Sequence, residues 1–124
     1  MNSLTITIPL PARAVSQNSR AHFRVKANAT KLQRGIARIQ CKKALKGESP
    51  PKWKKASIAI HAFFRTKTHP DPANFIGSLK ASFDGIEDSG VIENDKNLWP
   101  ERPTFGTDKD CPHVTLIITE EVEP

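Results

Sequence analysis

The stretch from His69 to Asp95 reads HPDPANFIGSLKASFDGIEDSGVIEND, and most of the remaining chain can be read as scaffold or substrate grip for it. Phe75, Leu79, Phe83 and Ile86 recur at three- and four-residue steps, with Ile76 beside them, which lays one apolar stripe along a helix. Asp71 is suited to be the N-cap, Pro72 the first helical residue and Gly90 the stop. Lys80, Asp84 and Glu87 then project together from the opposite face. Taken alone, Asp71 is a simple cap and Lys80–Asp84 an exposed pair stabilising by about 0.3 kcal/mol. Asp95, after the Gly90-Val91-Ile92 turn, can bring a further carboxylate back toward the helix start, and that admits a metal-ligand reading of the same residues.

Upstream, Ala56–Phe64 predicts a strand with Ile58 and Ile60 on one face and Ser57, Ala59, His61 and Phe63 on the other. Apolar residues on both faces make it a central strand, whose carboxyl end delivers the chain through Arg65, Lys67 and His69 to Asp71. Downstream, Asn97–Phe105 is a strand broken by Pro100 and Pro103. Val114–Thr119 alternates cleanly, and the intervening GTDKDCP predicts a hairpin. At the start, Leu4–Leu10 alternates as a half-buried strand, with Pro9 at its exit. Pro11–Lys26 has no period and reads as a basic loop. Asn28 or Thr30 then caps a helix to Leu45, with Gly47 as its stop, burying Leu32, Ile36 and Ile39 and, as the stripe drifts, Cys41, Ala44 and Leu45. Trp53, among lysines in the connector that follows, can stack on a base or cover the core edge. The expected architecture is α+β: one small domain, a mixed sheet of about four strands and two main helices packed on it.

A chain of 124 residues is long enough to bury a core without disulfides. Cys41 and Cys111 lack zinc-site spacing and read as reduced thiols of a cytoplasmic protein. Met1–Leu10 has no basic leader, and no apolar run approaches the length of a membrane span. The net charge of +6 is unevenly spread, since residues 1–70 hold 15 of the 19 Lys and Arg with Glu48 as their only acid. A basic half of this kind suits a surface that grips a polyanion, against the alternative of an ordinary solvated surface. The candidate nucleic-acid contacts are Asn18, Arg20, Arg24 and Lys26 in the loop and Lys31, Arg34, Arg38 and Lys42 on the helix. The helical set, continued to Lys46, forms a ridge of about 22 Å.

These residues carry a resemblance. Asp71-Pro-x-Asn74, Lys80, Asp84-Gly-Ile, Gly90-Val-Ile and Asp95 resemble the signature of RusA-type Holliday-junction resolvases, small endonucleases common in bacteriophages and prophages. The opening Ile-Pro-Leu-Pro followed by Ser16-x-Asn18-x-Arg20 is similar to that family's start, and the closing Ile-Thr-Glu to its end. Ala73 stands where the family often has a second aspartate, and Asn94 replaces the first acid of its closing pair. The resemblance implies a homodimer that binds four-way DNA junctions in the bacterial cytoplasm and cuts two strands with Mg²⁺, Mn²⁺ being a possible substitute. It assigns catalysis to Asp71, Asn74, Lys80 and Asp95 and the metal to Asp71 and Asp95, with Asp84 or Glu93 as the local supply for a second ion.

The chemistry can be built without the family. Phosphodiester hydrolysis needs a nucleophilic water and relief of charge on the transition state, which carboxylate-held Mg²⁺ supplies and a nearby lysine reinforces. Along one continuous helix Asp84 lies about 20 Å from Asp71, so it is expected to orient Lys80 rather than share that ion. Lys80, about 13 Å along, is expected to lean toward the helix start. A junction-binding protein without nuclease activity and a general nucleic-acid-binding regulator are the alternatives.

Overall fold

In the computed structural model, which describes residues 2–15, 20 and 22–122, the sheet is built around β2 (Ala56–Phe64). β5 (His113–Glu120) runs antiparallel along one side of it, from Ala56 opposite Glu120 to Phe63 opposite His113. β1 (Ser3–Ile8) lies antiparallel on the far side of β5. Along the other side of β2, β3 (Leu98–Pro100) and β4 (Thr104–Thr107) succeed one another, both parallel to it. The alternation read from sequence is the cause of the burial. Leu4, Ile6, Ile8, Ala56, Ile58, Ile60, Ala62, Val114, Leu116 and Ile118 form one buried face, while Ser57, Ala59, His61 and Ile117 are half-exposed on the other. Each fully buried Ile or Leu contributes about 1.5–3 kcal/mol.

Helices cover the buried face. α1 (Phe23–Leu45) connects β1 to β2, and α2 (Pro72–Ser78) with α3 (Lys80–Ser89) connects β2 to β3. Both are crossovers between parallel strands that step the same way across the sheet, and right-handed crossovers then place their helices on one side. α1 packs on α3 and on β1. The closest approach is at Gly85, where a Cβ would lie 2.2 Å from the carbonyl oxygen of Arg34. Arg34 Nε and Nη2 donate to the Asp88 carboxylate at 2.6 and 2.8 Å, and Gln33 Nε2 donates to Ser78 O and Ser82 Oγ, each at 2.9 Å. Cys41 is buried in this interface, and burial pushes its thiol up to about 11 against the opposing hydrogen bond from Ser89. Both cysteines are free. Among the described residues no helix is long and apolar enough to cross a membrane.

The α+β reading with a mixed sheet holds, with five strands rather than about four. Four details differ from the sequence expectation. α1 begins at Phe23, capped by His22 Nδ1, which accepts from Arg24 N at 3.2 Å; Thr30 is not its cap but lies inside the helix, its hydroxyl donating back to Lys26 O at 2.8 Å. Its buried residues are Ala37, Cys41 and Leu45, with Ile36 and Ala44 packed against the core as expected, but Leu32 and Ile39 face solvent. The central helix is interrupted at Leu79, whose N–H turns to Ile76 O at 3.0 Å; the Gly77-Ser78 pair just before it is a weak point in any helix. Finally, β4 and β5 do not form a hairpin, since β2 lies between them and takes both as partners.

Candidate functional site

Asp95 is held in place from three directions. Gly90 ends α3 with φ 86°, a left-handed conformation that favours glycine. The strand-like segment at Trp53 then fixes the turn: Lys52 N donates to Gly90 O at 2.8 Å, Trp53 N to Val91 O at 3.0 Å, and Glu93 N to Trp53 O at 2.9 Å. Trp53, Val91 and Ile92 are buried, so this turn belongs to the core and Trp53 serves as its edge. Asn94 Oδ1 accepts from Lys96 N at 3.0 Å and caps the short 3-10 turn Asp95–Asn97. Glu87 Oε1, from the last turn of α3, accepts from Asp95 N at 2.7 Å.

The Asp95 carboxylate thereby meets Lys80. Lys80 Nζ donates to Asp84 Oδ1 at 2.9 Å and also to Asp95 Oδ2. The Asp95 side chain is 17% exposed and that of Lys80 is 64% exposed, so the patch opens to solvent on the lysine side. The hydrogen bond from Lys80 holds the Asp95 carboxyl below the usual carboxylate range against the effect of burial. The same two acids, Asp95 first, raise Lys80 above an ordinary lysine.

Asp84 thus stands beside Asp95 through their shared lysine. The expected lean of Lys80 toward Asp71 is replaced by this pairing, with Asp84 one turn on in α3 and Asp95 beyond it. Asp71 is at the start of α2, where its Oδ2 accepts from Asn74 N at 3.2 Å. Asn74 and Glu93 are exposed. Among the described residues no three Asp, Glu, His or Cys side chains converge as metal ligands do, so Asp71, Asp84 and Asp95 do not form a ready-made triad.

Of the basic candidates, Arg20, Arg24, Lys31, Arg38 and Lys42 are exposed and Lys26 is half-buried, while Asn18 lies outside the described residues. Arg34 is not a free phosphate contact, since its guanidinium is engaged by Asp88. Through that pair the middle of the ridge is joined to α3, one turn beyond Asp84. Sequence reasoning missed the role of Glu87 as backbone clamp. The available signal was an acid in the last turn of a helix, where it opposes the helix dipole. The pairing of Arg34 with Asp88 left no local signal.

Two carboxyls are therefore depressed in the folded state, Asp88 by Arg34 and Asp95 by Lys80. For such groups the stabilisation is complete above the unfolded value, about 3.9, and is lost as pH falls through the lower folded value. The thermal midpoint is expected to fall on acidification below about pH 4, and Asp88→Asn to make that acid limb shallower. Thermal unfolding of both proteins between about pH 6 and pH 2 tests this, and parallel limbs would contradict it.

No family model matches the chain. A protein of Xylella fastidiosa strain Temecula1, described as uncharacterized, is similar to it, with 30% identity over 91 residues that make up 73% of this chain and 60% of that protein. The chain thus spans less than two thirds of the relative it matches.

Proposed function

We propose that the chain is a Mg²⁺-dependent, structure-selective DNA endonuclease acting on four-way junctions in phage or prophage recombination and repair, as its resemblance to RusA-type resolvases implies. One observation carries the reading: Lys80, Asp84 and Asp95 share a partly open patch at α3, the helix that Arg34 of the basic ridge grips through Asp88. The donors there are carboxylate oxygens, without thiol or imidazole, which is the chemistry that Mg²⁺ and Mn²⁺ take. Asp95 and Asp84 are the side chains that would hold such an ion, with Asp71 the further aspartate that the resemblance assigns. When bound, the ion supplies charge relief at the phosphoryl oxygens and a water of lowered pKa.

The chain's own residues do the rest. Arg24, Lys31, Arg38 and Lys42 neutralise phosphates along one strand, which makes binding steeply salt-dependent. Lys80 presents positive charge where negative charge grows on the phosphate in the transition state. Glu87 keeps the backbone of Asp95 from shifting. Symmetric cutting of two strands calls for a second copy related by a two-fold axis, so a homodimer is part of the proposal.

A second reading, a junction-binding protein that does not cut, is favoured by the lack of a convergent acidic triad among the described residues and by Ala73 and Asn94 at positions where the family has acids. Incubation of the purified protein with a synthetic four-way junction, in Mg²⁺ and in EDTA, separates the two readings. Linear duplex and Asp71→Asn serve as controls. The nuclease is expected to nick the junction only with Mg²⁺, and Asp71→Asn to lose most of that activity. Equal Mg²⁺-dependent cleavage by wild type and Asp71→Asn would remove Asp71 from the site, and cleavage that persists in EDTA would sink the nuclease reading. So would salt-sensitive junction binding with no product, which is the result the second reading requires.

A further inference from the structure

The outer face of α1 is divided lengthwise. Val25, Leu32 and Ile39 stand seven residues apart and are 54%, 66% and 45% exposed. Half-buried Ala29 and Ile36 fill the alternate steps, so an apolar seam with the 4-3 spacing of a coiled coil runs for about 21 Å. Beside it Arg24, Lys31, Arg38 and Lys42 form a parallel basic row, and α1 as a whole holds seven Lys or Arg and no acid. On the other flank the chain leaving β1 rises as a wall, and Leu10, Pro11, Ala29, Leu32 and Ile36 line a groove. Nothing among the described residues covers the seam, and residues 16–19 and 21, Ser-Gln-Asn-Ser and Ala, supply no large apolar side chain to do so.

We propose that this groove docks an acidic amphipathic helix of a partner protein, with apolar side chains at three- and four-residue steps in the seam and Asp or Glu against the basic row. Charge complementarity selects the occupant. A nucleic acid would use the basic row and leave the seam in water. The α1 of a second copy would bring the same seven cations with no acid to meet them. A lipid surface calls for a wide apolar face rather than a single seam walled on one flank. The surface shares its basic row with the nuclease reading, but its apolar seam has no part in that reading, and the seam is what the substitutions test.

The test uses the full chain and a fluorescein-labelled designed peptide of about three heptads, with Leu at the a and d positions and Glu and Ala elsewhere. A scrambled peptide of the same composition is the control, and fluorescence anisotropy is the readout. The ordered peptide is expected to bind at least about tenfold tighter than the scramble, and Leu32→Ser combined with Ile39→Ser to remove at least about tenfold of that affinity. The thermal midpoint should fall by no more than a few degrees in that variant, since Leu32 is mostly and Ile39 nearly half in water. Equal binding of the scramble would overturn the proposal by showing bare charge attraction, as would binding indifferent to the two substitutions. It is likewise overturned if sedimentation shows self-association that the double variant loses, or if anionic phosphatidylglycerol vesicles bind with the same Leu32 and Ile39 dependence.

Discussion

Asp95→Asn is expected to slow Mg²⁺-dependent cleavage of a four-way junction by about 100-fold or more while leaving the fold intact. The substitution keeps the shape of the side chain and the backbone N–H that Glu87 accepts, so the turn after α3 has no reason to move. What changes is charge: a carboxylate already held below its usual range by Lys80 becomes a neutral amide. The patch loses an anionic oxygen, and Lys80 keeps only Asp84 as its acid. Single-turnover cleavage of wild type, Asp95→Asn and Asp84→Asn, with thermal midpoints alongside, measures the effect. An Asp95→Asn protein that folds and cuts at the wild-type rate would remove Asp95 from the chemistry. A larger loss at Asp84 than at Asp95 would move the centre of the site onto α3.

Gly85→Ala is expected to destabilise the chain by about 3 kcal/mol, lowering the thermal midpoint by about 10 °C. The added Cβ would stand 2.2 Å from Arg34 O and 2.9 Å from the Ala37 Cβ, and the first of these is helix backbone that cannot rotate away. α1 and α3 would have to separate along the interface that holds Cys41 and the Arg34–Asp88 pair. Helix propensity alone argues the other way, because alanine is better than glycine inside a helix by about 1 kcal/mol. The sign of the change therefore decides between packing and propensity. Gly35→Ala on α1, where no atom lies within 4 Å of the added Cβ, is the internal control and is expected to gain stability. Urea unfolding of the two variants suffices. A Gly85→Ala protein at least as stable as wild type would mean that the helices do not approach so closely.

The strands were legible because each buries one face, and a period of two survives in Leu4-Ile6-Ile8, Ile58-Ile60 and Val114-Leu116-Ile118. Asp71 as N-cap and Gly90 as stop were legible because local backbone chemistry alone decides such positions. α1 was misread at its start and over part of its face: Ile36, Cys41, Ala44 and Leu45 pack inward as expected, whereas Leu32 and Ile39 do not. Phe23 and Val25 are exposed, so no core-facing period marks its first turns, and the side chains that do face α3 are small, while the bulky Leu32 and Ile39 point away. Hydrophobicity ranks a residue by size, whereas a close helix crossing selects against size. The bond from Lys80 to Asp84 was legible as an i,i+4 pair, whereas its second partner, Asp95, lies fifteen residues on and is reached only through the turn at Gly90. Strand order escaped because neighbours in sequence, β4 and β5, are separated in space by β2.

That strand order bears on how the fold can form. β1 pairs only with β5, and β5 is also the longest partner of β2, so the two earlier strands are joined through a segment made some fifty residues after β2. A nascent chain ending before His113 can wind its helices but has no second strand for β1 and only the short β3 and β4 for β2. Assembly of the sheet is therefore a late, cooperative event, and until residues 113–120 emerge the facing edges of β1 and β2 remain unpaired, a state in which a chaperone has something to hold.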